Sequence, residues 1–202
     1  WFTPSIEVDL CGHATLASAR ILFDYYSDLV GEEINLHSKS GVLKITQVEG
    51  GLCLNFPSDQ PAAIELEPLF FEILGIQPLM LLRGKDDYLA VFKNQKQIEN
   101  MQPNFSLLKK VDGRGLVISA PGDEVDFVSR CFYPEAGIEE DPVTGSAHTM
   151  LTPYWANQLN KDELEAHQLS KRGGRLNCRL ANDRVYISGS SVIFFEGAII
   201  IL

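Results

Sequence analysis

The segment 140–148, which reads Glu-Asp-Pro-Val-Thr-Gly-Ser-Ala-His, combines a turn-forming Asp-Pro pair with the small residues of a helix start. It brings acid, hydroxyl and imidazole groups together in nine residues. A second segment, 7–14, aligns with it in register. The aligned pairs are Glu7 with Glu140, Cys11 with Thr144, Gly12 with Gly145, His13 with Ser146, and Ala14 with Ala147. This alignment predicts an internal repeat that forms two similar half-sites.

Each half of the repeat is predicted to continue as a buried helix followed by antiparallel strands. The apolar pattern predicts helices over 12–26 and 145–160, the first of them buried on nearly all sides. Pro153 is expected in the opening turns of the second helix, where a missing N–H is best tolerated. Strands are predicted, among other places, over 1–10 at the start of the chain and over 191–195 near its end.

A linker between two domains is predicted at 56–61, because this segment holds two prolines and three small polar residues. We therefore expect a first domain over 1–58 and a second domain over 59–197. The last residues, 198–202, are apolar and are expected to form a strand that can return to the first domain.

The composition is that of a globular protein of 202 residues, 45% of them hydrophobic. A net charge of -10 argues against nucleic acid or an anionic membrane surface as a partner. The sequence has no apolar run long enough to span a bilayer and does not open with a signal segment, so we expect a cytoplasmic protein. Its four cysteines are far apart, which predicts free thiols rather than a zinc or redox pair.

The two helix starts, 12–14 and 145–147, are predicted to form cradles for a carboxylate. A turn that leads into a helix leaves backbone N–H groups unpaired and concentrates partial positive charge there. The simpler interpretation is that Thr144 and Ser146 only cap a helix, and for a single motif it would be favoured. The presence of a second, aligned copy favours the cradle instead.

Several side chains of the two segments are candidates for proton transfer. His13 can act as a general acid or base, because its ordinary pKa of about 6.5 lies near working pH, although a capping or buried histidine is the competing explanation. Asp141 can orient Ser146 or His148, or simply start a turn. Glu7 and Glu140, being equivalent in the repeat, are expected to bind backbone amides of their turns.

Cys11 can act as a nucleophile or a proton-transfer thiol, because a helix N-terminus lowers the pKa of a thiol. The matching position holds Thr144, so a mechanism with two thiol bases is disfavoured and a single-base mechanism remains open. We expect no metal, because His13 and His148 lack the spacing of metal ligands. The basic stretch 171–175 is expected to be a hairpin turn that borders the cleft between the two half-sites.

One enzyme class to consider from these residues is a serine hydrolase that uses Ser146, His148 and Asp141. The chain lacks the Gly-x-Ser-x-Gly elbow of such enzymes around Ser146. Residues two positions apart near a helix start also rarely face each other. The hydrolase is therefore disfavoured.

The segments 1–4, 7–15 and 137–148 closely resemble the phenazine-biosynthesis PhzF-like proteins, and 170–176 and 188–197 extend the resemblance over the whole chain. The resemblance implies an α+β, diaminopimelate-epimerase-like fold with two pseudo-symmetric domains, each with mostly antiparallel strands wrapped around a central helix. It places the active site in the cleft between the domains. It also implies a homodimer.

The function that the resemblance implies is a cofactor-independent isomerase or epimerase, which moves protons on a small carboxylate-bearing metabolite such as an amino or hydroxy acid. The residues that it assigns to catalysis are His13, Asp141 and Ser146. Those that it assigns to substrate binding are Cys11, Gly12, Ala14, Thr144, Gly145 and Ala147. The principal acid/base of the family is a glutamate expected upstream of Trp1, together with further strands of the first domain. The alternative is a non-catalytic small-molecule-binding or protein-interaction member of the same fold.

Overall fold

The computed structural model describes residues 1–2, 7, 11–28, 30–39 and 41–198. The chain forms two compact units, one of Trp1–Leu54 with Ser188–Leu202 and the other of Asn55–Ile187. Most of the predicted first strand, 1–10, lies outside the described residues, and so does the predicted returning strand except for residue 198. The predicted domain ranges, 1–58 and 59–197, remain predictions.

The unit that contains the start of the chain holds one helix and a small antiparallel sheet. Its elements are α1 (Gly12–Tyr25), β1 (Glu33–Ser38), β2 (Gly41–Val48) and the first part of β3 (Gly51–Pro57). The strand order is β1-β2-β3, and β1 pairs with β2 in antiparallel register. Gly50, with a φ of 76°, allows the turn between β2 and β3, as the Gly-Gly pair predicts.

Helix α1 is buried along one stripe rather than around most of its surface, so the prediction of a nearly enclosed helix is wrong. The buried residues Thr15, Ala19 and Phe23 are spaced four apart and therefore share one face. Ile21 and Tyr25 are exposed. A helix that is covered from one side buries only the stripe of residues that faces its neighbours.

The larger unit holds most of the secondary structure. Its elements are β4 (Ala62–Ile64), α2 (Pro68–Leu74), β5 (Met80–Arg83), β6 (Asp87–Val91), α3 (Gln95–Glu99), α4 (Phe105–Leu108), β7 (Gly115–Pro121), β8 (Phe127–Tyr133), β9 (Ile138–Asp141), α5 (Gly145–Leu159), β10 (Glu163–Gln168), β11 (Gly174–Ala181) and most of β12 (Arg184–Gly189). The strand order is β12-β11-β10-β8-β7-β6-β5-β4, and β9 pairs with β8. The β6–β7 and β8–β10 pairs are parallel, whereas β4–β5, β5–β6, β7–β8 and β10–β11 are antiparallel.

The predicted strand at 191–195 is wrong, because residues 190–198 form neither helix nor strand. Val192, Phe194 and Phe195 in this segment are exposed. An apolar run becomes a strand only where a neighbouring backbone pairs with it, and no strand in the described part of the chain does so here.

The sheet of the larger unit is covered on both faces, which follows from the alternation of side chains along β7 and β8. Leu116 and Ile118 face the apolar cluster built with α2, α3 and α4. Ser119, the residue after Ile118, faces α5, where its Oγ accepts a hydrogen bond from Trp155 Nε1 at 2.9 Å. Trp155 also stacks on Phe127 of β8 with ring centroids 5.8 Å apart. Helix α5 is therefore held against the face of the sheet opposite to α2–α4.

Helix α5 is buried around most of its surface, as expected for a central helix; its buried residues are Ala147, His148, Met150, Leu151, Thr152, Pro153, Trp155 and Ala156. Pro153 lies in the middle of this helix and not in its opening turns, which corrects the prediction. Its missing N–H leaves the carbonyl of Thr149 without a helical partner. The N–H of Asp59, in the segment that follows β3, donates to that carbonyl at 3.0 Å. The larger unit thus satisfies the acceptor that proline frees.

Gly115 of β7 leaves no room for a side chain, since a Cβ there would lie 2.4 Å from the carbonyl oxygen of Phe132 in β8. We expect Gly115→Ala to lower the free energy of unfolding by about 2 kcal/mol, because the backbone of β8 has to move. Gly31→Ala is the control, because no atom lies within 4 Å of its added Cβ. Urea unfolding followed by circular dichroism compares the two variants, and equal effects would contradict the close approach.

Candidate functional site

The turn between β9 and α5 carries most of the residues predicted from the central segment. Strand β9 ends at Asp141, which lies opposite Cys131 of β8. Thr144 is the N-cap of α5 and has an extended backbone, with φ −114° and ψ 94°. Its hydroxyl donates a hydrogen bond to the carboxylate of Asp141. Both side chains are buried, so within this turn the carboxylate is held by the threonine.

Gln168, the last residue of β10, fixes the backbone of this turn by side-chain hydrogen bonds. Its side chain is fully buried. Nε2 donates to the Asp141 carbonyl at 2.7 Å and to Thr144 Oγ1 at 3.1 Å. Oε1 accepts the N–H of Thr144 at 2.8 Å. The two donor hydrogens and the acceptor of one amide are therefore all used on two residues of the turn.

Cys131 lies under the same turn, where its thiol contacts the side chain of Thr144. Burial raises the pKa of the Cys131 thiol far above its ordinary value, the neighbouring Asp141 carboxylate also raises it, and the Thr144 contact lowers it. The thiol therefore stays protonated at neutral pH and acts as a packing group rather than as a nucleophile.

The N-terminus of α5 has no side-chain cap, because the hydroxyl of Thr144 is turned toward Asp141 and Gln168. The interpretation that Thr144 only caps the helix is thus wrong. Ser146, in the first turn, is partly buried, and its hydroxyl has no hydrogen-bond partner among the described residues. Among the residues that the structure describes, no side chain caps the first N–H groups of α5, from Gly145 onward.

The start of α1 repeats this arrangement with different chemistry. Cys11 is the N-cap, its φ of −138° and ψ of 96° resemble those of Thr144, and it too provides no side-chain cap. The helix begins at Gly12, and His13 in its first turn is exposed. Cys11 Sγ lies 3.5 Å from His13 Nε2. This helix start therefore pairs a thiol with an imidazole that is open to solvent.

The two helix starts also share a hydrogen bond to the carbonyl of the N-cap residue. In α1 the hydroxyl of Thr15 donates to the Cys11 carbonyl at 2.7 Å. In α5 the carbonyl of Thr144 lies 2.8 Å from Nδ1 of His148. Thr15 and His148 occupy aligned positions, and both are fully buried. The repeat predicted from the sequence is therefore present in the local geometry of both helices.

His148 is a structural residue, which rules out the Ser-His-Asp arrangement. Because a carbonyl only accepts, Nδ1 carries the hydrogen toward Thr144, while the buried Nε2 has no partner in the described chain. Burial lowers the pKa of His148 to about 4, which the bond to Thr144 partly offsets. The Asp141 carboxylate binds Thr144 and not His148. The imidazole is thus neutral and fixed at working pH.

The two equivalent glutamates bind cations. Glu140 accepts from Arg130 Nε at 2.6 Å and from Nη2 at 3.0 Å, so the prediction that it binds turn amides is wrong. Nη1 of the same guanidinium donates to the carbonyls of Ile98 and Met101. These carbonyls are within reach because Arg130 lies on a buried position of β8. Glu7 pairs with Lys39 at 3.0 Å.

Within the larger unit, the structure brings the predicted residues Asp141, Thr144, Gly145, Ser146 and Ala147 together. Within the other unit it brings together Cys11, Gly12, His13 and Ala14. In the described ranges no group of three or more His, Cys, Asp or Glu side chains is arranged to hold a metal ion. None of the helices in these ranges has the length and apolar content needed to cross a membrane.

The sequence analysis missed two polar residues, Gln168 and Arg130, that bind residues of the segment 140–148. The signal was a polar residue at an inward position of a strand. Gln168 continues the buried alternation of Leu164 and Ala166, and Arg130 lies between the buried Val128 and Phe132. A polar side chain on a buried register must find a partner, which marks it as part of a network.

Comparisons with known proteins identify what the chain is similar to. The family model described as phenazine biosynthesis-like protein, PhzC-PhzF, matches residues 1–197. An uncharacterized isomerase of Halalkalibacterium halodurans is 44% identical over 204 residues, which cover 100% of this chain and 77% of that protein. The crystal structure of a PhzF-family phenazine biosynthesis protein from Enterococcus faecalis is 44% identical, with a TM-score of 0.91, over 96% of this chain and 75% of that one.

A more distant likeness concerns the fold alone. The structure of a predicted epimerase from Pseudomonas aeruginosa is 16% identical, with a TM-score of 0.64, over 94% of this chain and 74% of that one. The α+β, epimerase-like fold class expected from the sequence is thereby confirmed. The relatives also support an isomerase-like role for this chain.

Gln168 is expected to determine the stability of the β9–α5 turn. Gln168→Leu leaves the Thr144 N–H and the Asp141 carbonyl buried without partners, so we expect a loss of roughly 3 kcal/mol in the free energy of unfolding. Gln77→Leu is the matched control, because Gln77 is exposed, and its effect is expected to stay within about 0.5 kcal/mol. Urea unfolding compares them; a Gln168 variant as stable as the control would contradict the clamp.

His148 is expected to make stability depend on pH. Its pKa is lowered to about 4 from 6.5 in the folded protein, so between these values the unfolded state binds more protons. The free energy of unfolding therefore falls as pH falls through this window, by about 3 kcal/mol in total. His148→Thr, which can keep the bond that Thr15 makes in α1, removes this contribution.

His37→Thr, which removes an exposed histidine of β1, is the matched control. Urea unfolding at several pH values measures the effect, and NMR titration of the imidazole checks its source. A parallel loss of stability in the wild type and in His148→Thr would contradict the assignment.

Proposed function

Because this chain belongs to the family of phenazine biosynthesis-like proteins, we propose that it is a cofactor-independent isomerase or epimerase. Its substrate is a small metabolite with a carboxylate, of the amino-acid or hydroxy-acid class. The observation that carries the proposal is the pair of matching helix starts, α1 and α5, whose N-caps share an extended backbone and provide no side-chain cap.

An uncapped helix N-terminus offers N–H groups and partial positive charge to an anion. In the proposal these groups bind the carboxylate of the substrate and the negative charge that develops on it during proton transfer. The residues that form the cradles are Cys11, Gly12 and Ala14 in α1, and Thr144, Gly145 and Ala147 in α5. The buried bonds of Thr144 support this role, since they keep its hydroxyl away from the N–H groups.

His13, Asp141 and Ser146 handle the protons in this mechanism. His13 is exposed, which suits a group that exchanges protons with substrate and solvent. The Ser146 hydroxyl is uncommitted within the described chain and can donate to a substrate oxygen. The Asp141 carboxylate, oriented by Thr144, acts beside them.

The remaining parts of the proposal come from the family resemblance. The principal acid/base in this proposal is a glutamate expected upstream of Trp1. The protein acts as a homodimer in the cytoplasm, without a metal or an organic cofactor. Its partners are small carboxylate metabolites, and neither nucleic acid nor a membrane is among them.

A non-catalytic binding protein on the same fold is the second candidate. One observation favours it, namely that Asp141 is buried and already accepts the hydroxyl of Thr144. A carboxylate in that state serves structure as well as it serves proton transfer. In this case the uncapped helix starts bind a carboxylate ligand and release it unchanged.

Solvent deuterium exchange separates the two candidates. We expect the natural protein, with every residue its gene encodes, to incorporate deuterium at carbon into one member of a panel of amino and hydroxy acids. His13→Asn is expected to lower this rate at least about 100-fold, because general acid–base groups contribute that much. His37→Asn, which changes an exposed histidine outside the helix starts, is the matched control. Mass spectrometry measures the incorporation.

Saturable binding of an acid without any incorporation of deuterium would support the binding protein and refute the isomerase. Equal rates for the two histidine variants would remove His13 from the mechanism.

A further inference from the structure

A groove of about 920 Å³ opens on the surface of the larger unit. The hairpin turn 170–172 between β10 and β11 forms one wall, and the segment 134–140 forms the other. Lys109 and Pro142 complete the lining. We call this space the basic groove. It has the size of a pocket for a small molecule.

The charges of the basic groove are mostly positive. Lys109, Lys171 and Arg172 line it, and none of the three has an acidic partner among the described residues. Of the two acids in the lining, Glu140 is neutralised by Arg130, which leaves Glu139. Three free cations against one free acid give a local charge of +2 in a protein whose net charge is -10.

The third cation of the stretch 171–175 behaves differently. Arg175 stands outside the lining of the basic groove and lies 3.7 Å from Glu124. The two cations that enter the groove are therefore the ones that carry uncompensated charge.

The backbone that presents these cations is fixed against the segment that follows β9. Ser170 Oγ donates to the Pro142 carbonyl at 2.7 Å and accepts the N–H of Gly173 at 3.0 Å. Gly173 has a φ of 71°, which the turn requires. A Cβ on Gly174 would lie 2.3 Å from Cγ2 of Val143, so the hairpin sits directly on the segment that follows β9. The positions of both cationic residues are thus set before any ligand arrives.

We propose that the basic groove binds a small metabolite with at least two negative charges, carried by phosphate or carboxylate groups. The guanidinium of Arg172 suits a planar or tetrahedral anion, and the two lysines add mobile positive charge around it. The overall negative charge disfavours long polyanions, which selects small ligands. The lining of the basic groove includes none of the helix-start residues 12–14 and 145–147, and the inference does not rest on the proposed isomerase activity.

Isothermal titration calorimetry of the full chain with inorganic pyrophosphate and, separately, with citrate tests the proposal at low ionic strength. We expect saturable binding of at least one probe. The charge-reversal variant Lys171→Glu/Arg172→Glu is expected to weaken it at least about tenfold, since two close attractions become repulsions. Lys110→Glu, an exposed lysine beside Lys109 but outside the lining, is the control and is expected to change affinity less than about twofold.

Binding of pyrophosphate alone would identify the ligand class as phosphorylated, and binding of citrate alone would identify it as polycarboxylic. If the double reversal unfolds the chain, as circular dichroism reports, Lys171→Gln/Arg172→Gln replaces it with the same expected direction. The proposal is overturned if neither probe saturates below about 10 mM, a very weak affinity. It is also overturned if Lys110→Glu weakens binding as much as the groove variants do.

Discussion

The hydrogen bonds of the buried Gln168 amide hold the β9–α5 turn in the conformation on which the candidate site depends. They engage the Asp141 carbonyl and both the N–H and the hydroxyl of Thr144. Because Gln168 and Asp141 occupy the Thr144 hydroxyl, that hydroxyl caps no amide of α5. A helix end that is normally satisfied by its own N-cap is left open to a ligand. One buried amide thus creates the open helix start.

The two helix starts keep the same backbone geometry with different side chains. In each, a fully buried residue four positions after the N-cap binds the N-cap carbonyl, by the Thr15 hydroxyl in α1 and by the His148 imidazole in α5. The N-caps themselves differ, since Cys11 lies beside an exposed histidine and Thr144 beside a buried aspartate. The repeat therefore supplies similar anion-binding backbones, whereas the groups that exchange protons differ between the halves.

Local sequence patterns predicted much of the secondary structure. Helices α1 and α5 begin at the predicted residues, because apolar periodicity and turn chemistry act over a few residues. The errors arose where distant chain segments decide the outcome. Residues 191–195 have strand-forming side chains but no paired backbone, and Pro153 is accepted inside α5 because Asp59 satisfies the freed carbonyl.

The sequence by itself determined the family, the α+β class and the two aligned helix starts, since these follow from contiguous motifs and apolar periodicity. Only the tertiary structure decided which polar groups become partners: Gln168 with Thr144, Arg130 with Glu140, and Cys131 with the same turn. These residues belong to different strands, and only strand pairing and register bring them within hydrogen-bonding distance. A hydrogen bond depends on distance and angle, which a motif along the chain does not specify.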